Sequence, residues 1–312
     1  MISMRSIGPA SSTRCWLPDL FLTREKPMSF KAAAIQMCSG VDPVKNAADM
    51  ARLVRDAASK GAIYVQTPEM TGAVQKDRPA MRAVLRDEPN DLIVKTASEL
   101  AKELGIHLHI GSTAIALDDG KIANRGFLFG PDGKLINRYD KIHMFDVDLD
   151  NGESWRESAV YRPGSEARIA SLPFAELGFS ICYDVRFPQL FRAQAVAGAE
   201  VMTVPAAFTK QTGEAHWEIL LRARAIENGM FVIAAAQAGK HEDGRETFGH
   251  SMIVDPWGKV LASAGGTGEA VVIAEIDVAA VKSAHDKIPN LKNAREFSLE
   301  KIATPAAGGV AA

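Results

Sequence analysis

The stretch over residues 177–205, LGFSICYDVRFPQLFRAQAVAGAEVMTVP, constrains the fold of this chain more than any other. Its apolar run Phe179-Ser180-Ile181-Cys182 predicts a buried strand that stops at Tyr183-Asp184. Pro188 suits the first turn of a helix, where a missing N–H costs nothing, and Phe187, Leu190, Phe191 and Ala195 recur at helical spacing. Residues 199–204 return as a second strand, which a right-handed crossover would set parallel to the first. Cys182 therefore stands where a strand ends and a helix begins. Open α/β sheets bind ligands at that edge, and the N–H groups of the turn, helped by the helix dipole, favour a thiolate and any oxyanion made beside it. A lone cysteine on an apolar strand is ordinarily a packing residue, so its chemistry has to be argued from its company.

Composition narrows the class. The chain has 312 residues, 47% hydrophobic and 24% charged, an ordinary globular balance with ample material for a core. A net charge of −2 gives no reason to expect nucleic acid or a membrane surface as partner, and no apolar run approaches a membrane span. Three cysteines (Cys15, Cys38 and Cys182) are too few and too irregular for a disulfide framework or a zinc site, so a reducing cytoplasm is expected. Residues 1–27 differ in texture from the rest of the chain and lack a signal-peptide core. They read as an ill-ordered extension, 28–300 as one domain, and the Ala- and Gly-rich 301–312 as a disordered tail.

In chain order, residues 31–37 predict a strand, 43–60 an amphipathic helix with Met50, Leu53, Val54 and Ala57 on one face, and 62–66 a second strand ending in Thr67-Pro68-Glu69. Residues 70–86 are irregular and suit a lid or loop. A helix over 91–104 leads into a strand over 106–111, and antiparallel strands follow around the turns Asp118-Asp119-Gly120 and Pro131-Asp132-Gly133. The second of these runs into Arg138-Tyr139-Asp140-Lys141. Residues 145–164 form a long polar loop, and loops of that length tend to be functional. A helix over 213–229, a strand over 231–237, a hairpin across Asp255-Pro256-Trp257-Gly258, a strand over 270–276 and a short helix complete the pattern. Strand–helix–strand units in both halves, with antiparallel strands between, imply an α/β fold with mixed sheets covered by helices.

Three reactive side chains share one topological position: Glu69, Lys141 and Cys182 each lie at or just past the end of a predicted strand. Singly they are ordinary, since Glu69 could cap a helix and Lys141 could be solvated. Together with their neighbours Thr67-Pro68-Glu69, Tyr139-Asp140-Lys141-Ile142-His143 and residues 178–188 (GFSICYDVRFP) they are specific, and residues 30–295 resemble the nitrilase, or carbon–nitrogen hydrolase, superfamily. That resemblance implies a four-layer α-β-β-α sandwich, a Glu-Lys-Cys catalytic set, and a dimer or higher homo-oligomer whose subunits share helical layers. It also implies a second glutamate near the lysine. Glu157 matches it and would hydrogen-bond Lys141 and hold it in place.

The chemistry follows from the groups. An amide carbon is a poor electrophile, so its hydrolysis needs a nucleophile, a proton carrier and oxyanion stabilisation. Cys182 would attack the carbonyl, while Glu69 would take the thiol proton and return it to the leaving amine. Lys141 and the Tyr183 N–H would bind the oxyanion, a charged donor there being worth ~3 kcal/mol. Ammonia leaves, a thioester remains, and Glu69 activates water to cleave it, with no metal or organic cofactor. The mechanistic rival is a Cys-His-Asp hydrolase using His143, His216 or His250 as base. His107 and His109 form an H-x-H pattern without a third ligand at a suggestive spacing, and Glu218 with Arg222 reads as a helix-surface pair.

Arg186, four residues past the nucleophile, could fork onto a substrate carboxylate or pair with Asp184. Phe208 and Thr212 could complete an acyl pocket. These residues favour a small amide bearing a carboxylate. Two branches of the superfamily resemble the chain, amidases that clear deaminated glutathione and ω-amidases acting on α-ketoglutaramate-like acids. Residues 216–227, 234–239 and 249–258 resemble the first more closely. A nitrilase proper commonly has Trp after the nucleophile, where this chain has Tyr183; an N-carbamoyl amidohydrolase, an ammonia-feeding domain and a catalytically dead scaffold are the other readings.

Overall fold

In the strand Ser29–Gln36 the side chains alternate between two cores, so both faces of its sheet must be covered. Ala33 and Ile35 pack with Met50, Leu53 and Val54 of the helix Pro43–Ser59 and with Ile93, Ala97 and Leu100 of the helix Leu92–Leu104. Ala32 and Ala34 face the other way, toward Phe174, Phe179 and Met202 of a second sheet. The computed structural model describes residues 29–149, 152 and 154–302. The extension expected over 1–27, Cys15, and most of the expected tail (303–312) lie outside these residues.

The first sheet has six strands in the order Ala270–Asp277, Ser29–Gln36, Tyr64–Gln66, His107–Ala116, Ile122–Phe129, Leu135–Asp140. Its second to fourth strands are mutually parallel, and the others pair antiparallel. The second sheet has the order Val260–Ser263, Met252–Val254, Phe231–Ala234, Val201–Thr203, Glu176–Phe179, Ile169–Ser171, again with a parallel centre. Helices Pro188–Val196 and Lys210–Asn228 pack on it through Leu190, Phe191, Trp217, Leu221 and Ala225. The sheets meet face to face: the rings of Phe30 and Phe174 lie 4.3 Å apart, those of His109 and Phe179 5.2 Å apart, and Gln66 Nε2 donates to the Ile233 carbonyl at 3.2 Å. The result is the four-layer α-β-β-α sandwich. Small alanines on the facing strands allow the close approach.

Three local expectations change. The strand ends at Phe179, and Cys182–Arg186 is a 3₁₀ turn, because Asp184 folds back to accept from the Ile181 N–H at 2.9 Å. The 145–164 loop contains a small hairpin, Asp146–Asp148 with Ser154–Arg156, and a turn at Glu157–Ala159. A further hairpin, Ala238–Lys240 with Glu246–Phe248, was not evident in the sequence, where the strand pattern stops at Gln237.

Candidate active site

The site lies where the two sheets present the ends of their parallel strands to one another. Thr67 ends its strand and bonds Thr71 through paired hydroxyls at 2.8 Å, while Thr71 also donates to the Pro68 carbonyl at 2.8 Å. This ties residues 67–71 into a tight turn that aims Glu69 inward. From the other sheet the Cys182 N–H donates to the Pro205 carbonyl at 2.8 Å. Cys182 has φ of 50°, a left-handed conformation rare for a side-chain-bearing residue. Gly111 is where the two turns meet: a Cβ there would fall 2.2 Å from the Thr67 carbonyl oxygen and 2.3 Å from Pro205 Cβ. Only glycine fits that contact.

Glu69, Lys141 and Cys182, separate in sequence, come together in a buried cluster. Lys141 follows the strand Leu135–Asp140 and is held by its N–H on the Asn124 carbonyl at 3.0 Å. Its Nζ lies 3.0 Å from Glu69 Oε1 and 2.8 Å from Glu157 Oε2. Glu157 also accepts from the Phe145 N–H at 2.7 Å, so it fixes the ammonium to the loop beside it. Glu69 spends its second oxygen on the Ala207 N–H at 2.8 Å, and its charge acts on the neighbouring Cys182 thiol. Asn124, which sequence reading missed, donates to both carboxylates, at 2.9 Å to Glu69 and 3.2 Å to Glu157. No local pattern marks it; only strand register brings it there.

Burial and charge set the protonation of the cluster. Burial opposes the Glu69 charge, but the Lys141 ammonium and hydrogen bonds from Cys182, Lys141 and Asn124 overcome it and hold the carboxyl below its usual range. Burial likewise opposes the Lys141 charge, and Glu157 and Glu69 outweigh it, raising the ammonium well above its ordinary value. Burial pushes the Cys182 thiol well up, and neighbouring Glu69 pushes it further. The resting site is therefore carboxylate, ammonium and neutral thiol. The thiolate expected from the turn and helix dipole does not prevail, because desolvation and an adjacent carboxylate outweigh partial charges.

The turn is anchored by Asp184, fully buried, which accepts from the Ile181 N–H, from Tyr139 Oη at 2.7 Å and from the His143 N–H at 3.0 Å. His143 Nδ1 completes the set at 2.7 Å, and its ring stacks on Phe187. Asp184 is thus occupied and does not pair with Arg186. Arg186 instead meets His216 Nδ1 at 3.3 Å and lies over the Phe208 ring at 5.4 Å, one ring removed from the cavity. His250 Nδ1 is bonded to the Phe248 carbonyl at 2.8 Å. Of the candidate bases, the one whose charge acts on the thiol is Glu69. His107 and His109 lie in the inter-sheet core; His109 bonds Tyr64 Oη at 2.9 Å, and burial lowers its pKa to about 3. Glu218 and Arg222 form the surface pair at 3.0 Å. Among the described residues no three His, Cys, Asp or Glu side chains gather as a metal site.

Above the cluster opens a cavity of about 780 Å³. Glu69, Lys141, Glu157 and Cys182 line it, together with Tyr183, Phe208 and Thr212 and residues from 70–82, 145–161 and 240–246. The irregular 70–86 segment contains the short helix Arg78–Val84 and contributes Met70, Lys76, Arg78 and Met81 to this lining.

A four-layer sandwich with a buried cysteine, glutamate and lysine lining one cavity is the arrangement that the resemblance to the nitrilase superfamily implied. The carbon–nitrogen hydrolase profile matches residues 31–286, and the chain belongs to that family. It is an enzyme acting on non-peptide carbon–nitrogen bonds. Curated relatives include a deaminated glutathione amidase of Yersinia enterocolitica, 39% identical and covering 85% of this chain and 93% of that protein. Human omega-amidase NIT2 is 36% identical, covering 86% and 95%. Among solved structures, Nit3 of Saccharomyces cerevisiae superposes with a TM-score of 0.75 at 29% identity over 84% of this chain and 94% of that one. The C. elegans NitFhit protein gives 0.79 at 33%, over 86% of this chain and 65% of that longer one.

Proposed function

We propose that the chain is a thiol amidase that cleaves a carboxylate-bearing amide through a Cys182 thioester. The observation that carries this reading is the buried Glu69 carboxylate, bonded to the Lys141 ammonium at 3.0 Å and close enough to the Cys182 thiol for its charge to raise the thiol pKa. As Cys182 Sγ bonds to the amide carbon, Glu69 takes its proton, and the carbonyl oxygen gathers charge. Lys141 Nζ and the Tyr183 N–H, free of a helical partner in the first turn, receive that charge. Glu69 then returns the proton to the departing nitrogen as the C–N bond breaks. Water attacks the thioester with Glu69 again accepting a proton; the acid leaves, and Cys182 recovers its thiol. Glu157 and Asn124 position the ammonium and Glu69.

The preferred substrate is deaminated glutathione, for which the Yersinia enterocolitica relative is named, with an α-ketoglutaramate-like ω-amide as the alternative. A cavity near 780 Å³ suits an extended, peptide-sized molecule better than a five-carbon amide. The products differ. A primary ω-amide releases ammonia, as the sequence led us to expect, whereas the amide nitrogen of deaminated glutathione belongs to cysteine and leaves as cysteinylglycine. Phe208 and Thr212 would line the acyl pocket, with Arg186 supporting Phe208 from behind. The chain would work as a dimer or larger homo-oligomer, its outer helices exposing Val196, Ile219 and Ile226; a monomer mass in sedimentation would refute this. No helix among the described residues is long and apolar enough to cross a membrane, and a thiol nucleophile suits a reducing cytoplasm.

The test compares acid release from the two substrates with mass spectrometry of the acyl-enzyme. Cys182→Ala should abolish both adduct and turnover, while Cys38→Ala should form the adduct. Turnover by the Cys182 variant would overturn the mechanism.

A further inference from the structure

The cavity wall has a charge that the catalytic cluster does not explain. Apart from Glu69, Lys141 and Glu157, its charged lining is Lys76, Arg78, Arg82, Arg156, Lys240 and Arg245 against one acid, Glu246. Glu246 is engaged by Lys210, and Arg156 is paired with Asp148. Lys76, Arg78 and Lys240 have no ion pair among the described residues.

Arg245 is the most enclosed of the paired cations on this wall apart from the catalytic lysine, its side chain 17% exposed. It sits in the turn of the 238–248 hairpin, which His241 ties to the body of the protein through the Ser39 carbonyl at 2.8 Å and braces across its own strands through Thr247 Oγ1 at 2.7 Å. Asp243 accepts from its backbone N–H and its Nη2, both at 3.0 Å, and the guanidinium lies 4.9 Å from the Trp155 ring. Its Nε is buried with no partner, the kind of unmet donor that calls for an explanation. Lys76 Nζ lies beside the same turn, 3.5 Å from where Gly244 would carry a Cβ. Tyr161 also lines the cavity, its phenol pushed up by burial and by the nearby Glu157 charge, with Arg245 acting against it. The arrangement is a planar cation held by Asp243 in the lining of the cavity that also holds Cys182.

We propose that Arg245, assisted by Lys76, binds a carboxylate on the leaving-amine side of the substrate, so that the enzyme selects extended amides ending in an anion over short primary amides. This rests on the amidase reading and adds its specificity residue. A guanidinium is suited to the task because its fork accepts a carboxylate in two directions while its face stays on an aromatic ring. The acyl half of such a substrate would occupy the Phe208 side, and the amine half would run along the wall from Cys182 toward the hairpin.

The experiment uses deaminated glutathione and its glycine methyl ester. Both deliver the same acyl group to Cys182, so any difference between them arises before the thioester forms, and deacylation is common to both. The readout is the ratio of their kcat/KM values. In Arg245→Met that ratio should fall about 10- to 100-fold, the range for a charge-assisted hydrogen bond, with Arg245→Lys intermediate and Lys76→Met moving the same way by less. An unchanged ratio in both Arg245 variants would overturn the inference while leaving the amidase reading intact. Failure of wild-type protein to form an acyl adduct on Cys182 from either compound would refute the amidase reading, and this inference with it.

Discussion

Replacing Glu157 by glutamine tests whether this residue organises the catalytic lysine. Three donors converge on its carboxylate: Lys141 Nζ at 2.8 Å, the Phe145 N–H at 2.7 Å and Asn124 Nδ2 at 3.2 Å. An amide of the same shape offers one acceptor oxygen, and its NH₂ must face a donor. If the oxygen stays on Phe145 it also keeps the shorter Lys141 contact, because both donate to Oε2. The variant then loses the carboxylate charge and the second Lys141 contact on Oε1 at 3.1 Å, worth roughly 1.5–3 kcal/mol as a charge-assisted bond, and the Asn124 bond on Oε1, worth about 1 kcal/mol. The Glu157 and Lys141 side chains are only 11% and 3% exposed, so solvent screening does not discount these figures much. The expected destabilisation is about 2.5–4 kcal/mol, which at roughly 2–4 °C per kcal/mol for a chain of this size is a clear fall in Tm. With the ammonium held by one carboxylate instead of two, kcat/KM should fall about a hundredfold. Calorimetry and acid-release kinetics read the two effects. A variant with wild-type Tm and kcat/KM within twofold would refute this account of Glu157.

The pH profile separates a carboxylate base from a histidine. Glu69 titrates below its ordinary 4.5, so its contribution to stability is present above that value and is lost as pH falls through the lower folded pKa. Lys141 titrates above its ordinary 10.5, so its contribution is complete below that value and is lost as pH rises through the higher folded pKa. The Cys182 thiol stays protonated past its ordinary 9.0, so kcat/KM should be flat from about pH 5 to 9; an acid limb near 6.5 would implicate a histidine. Replacing His143, His216 or His250 by Asn should leave acyl-enzyme formation intact, whereas Glu69→Gln should abolish it; a histidine variant as inactive as Glu69→Gln would reverse the assignment. Gly111→Ala should lower stability by about 1–3 kcal/mol, because the methyl must displace the backbone at Thr67 and Pro68, and an unchanged Tm would show that the two turns can part.

The sequence by itself determined the elements and the rank order of the reactive residues. Helical spacing in 43–60 and apolar runs ending at Thr67-Pro68-Glu69 and Cys182 are local patterns, governed by the same backbone geometry wherever they occur. A strand-end position for Glu69, Lys141 and Cys182 could therefore be read before any contact was known. What the tertiary structure decided is non-local. Asn124 reaches Glu69 and Glu157 through the register of its strand against His107–Ala116, where it stands opposite Ala114, and a slip of a single residue would turn its side chain to the opposite face. Asp184 proved to be an anchor for the Cys182 turn, taken up by Tyr139 and His143, which leaves Arg186 to His216 and Phe208. Arg245 reaches the cavity on a hairpin that sequence alternation did not reveal. The neutral thiol of Cys182 was also beyond local reading, because it depends on burial between two sheets and on a carboxylate more than a hundred residues away. Periodicity follows from bonds along the chain; protonation and partnership follow from which distant surfaces exclude water from one another.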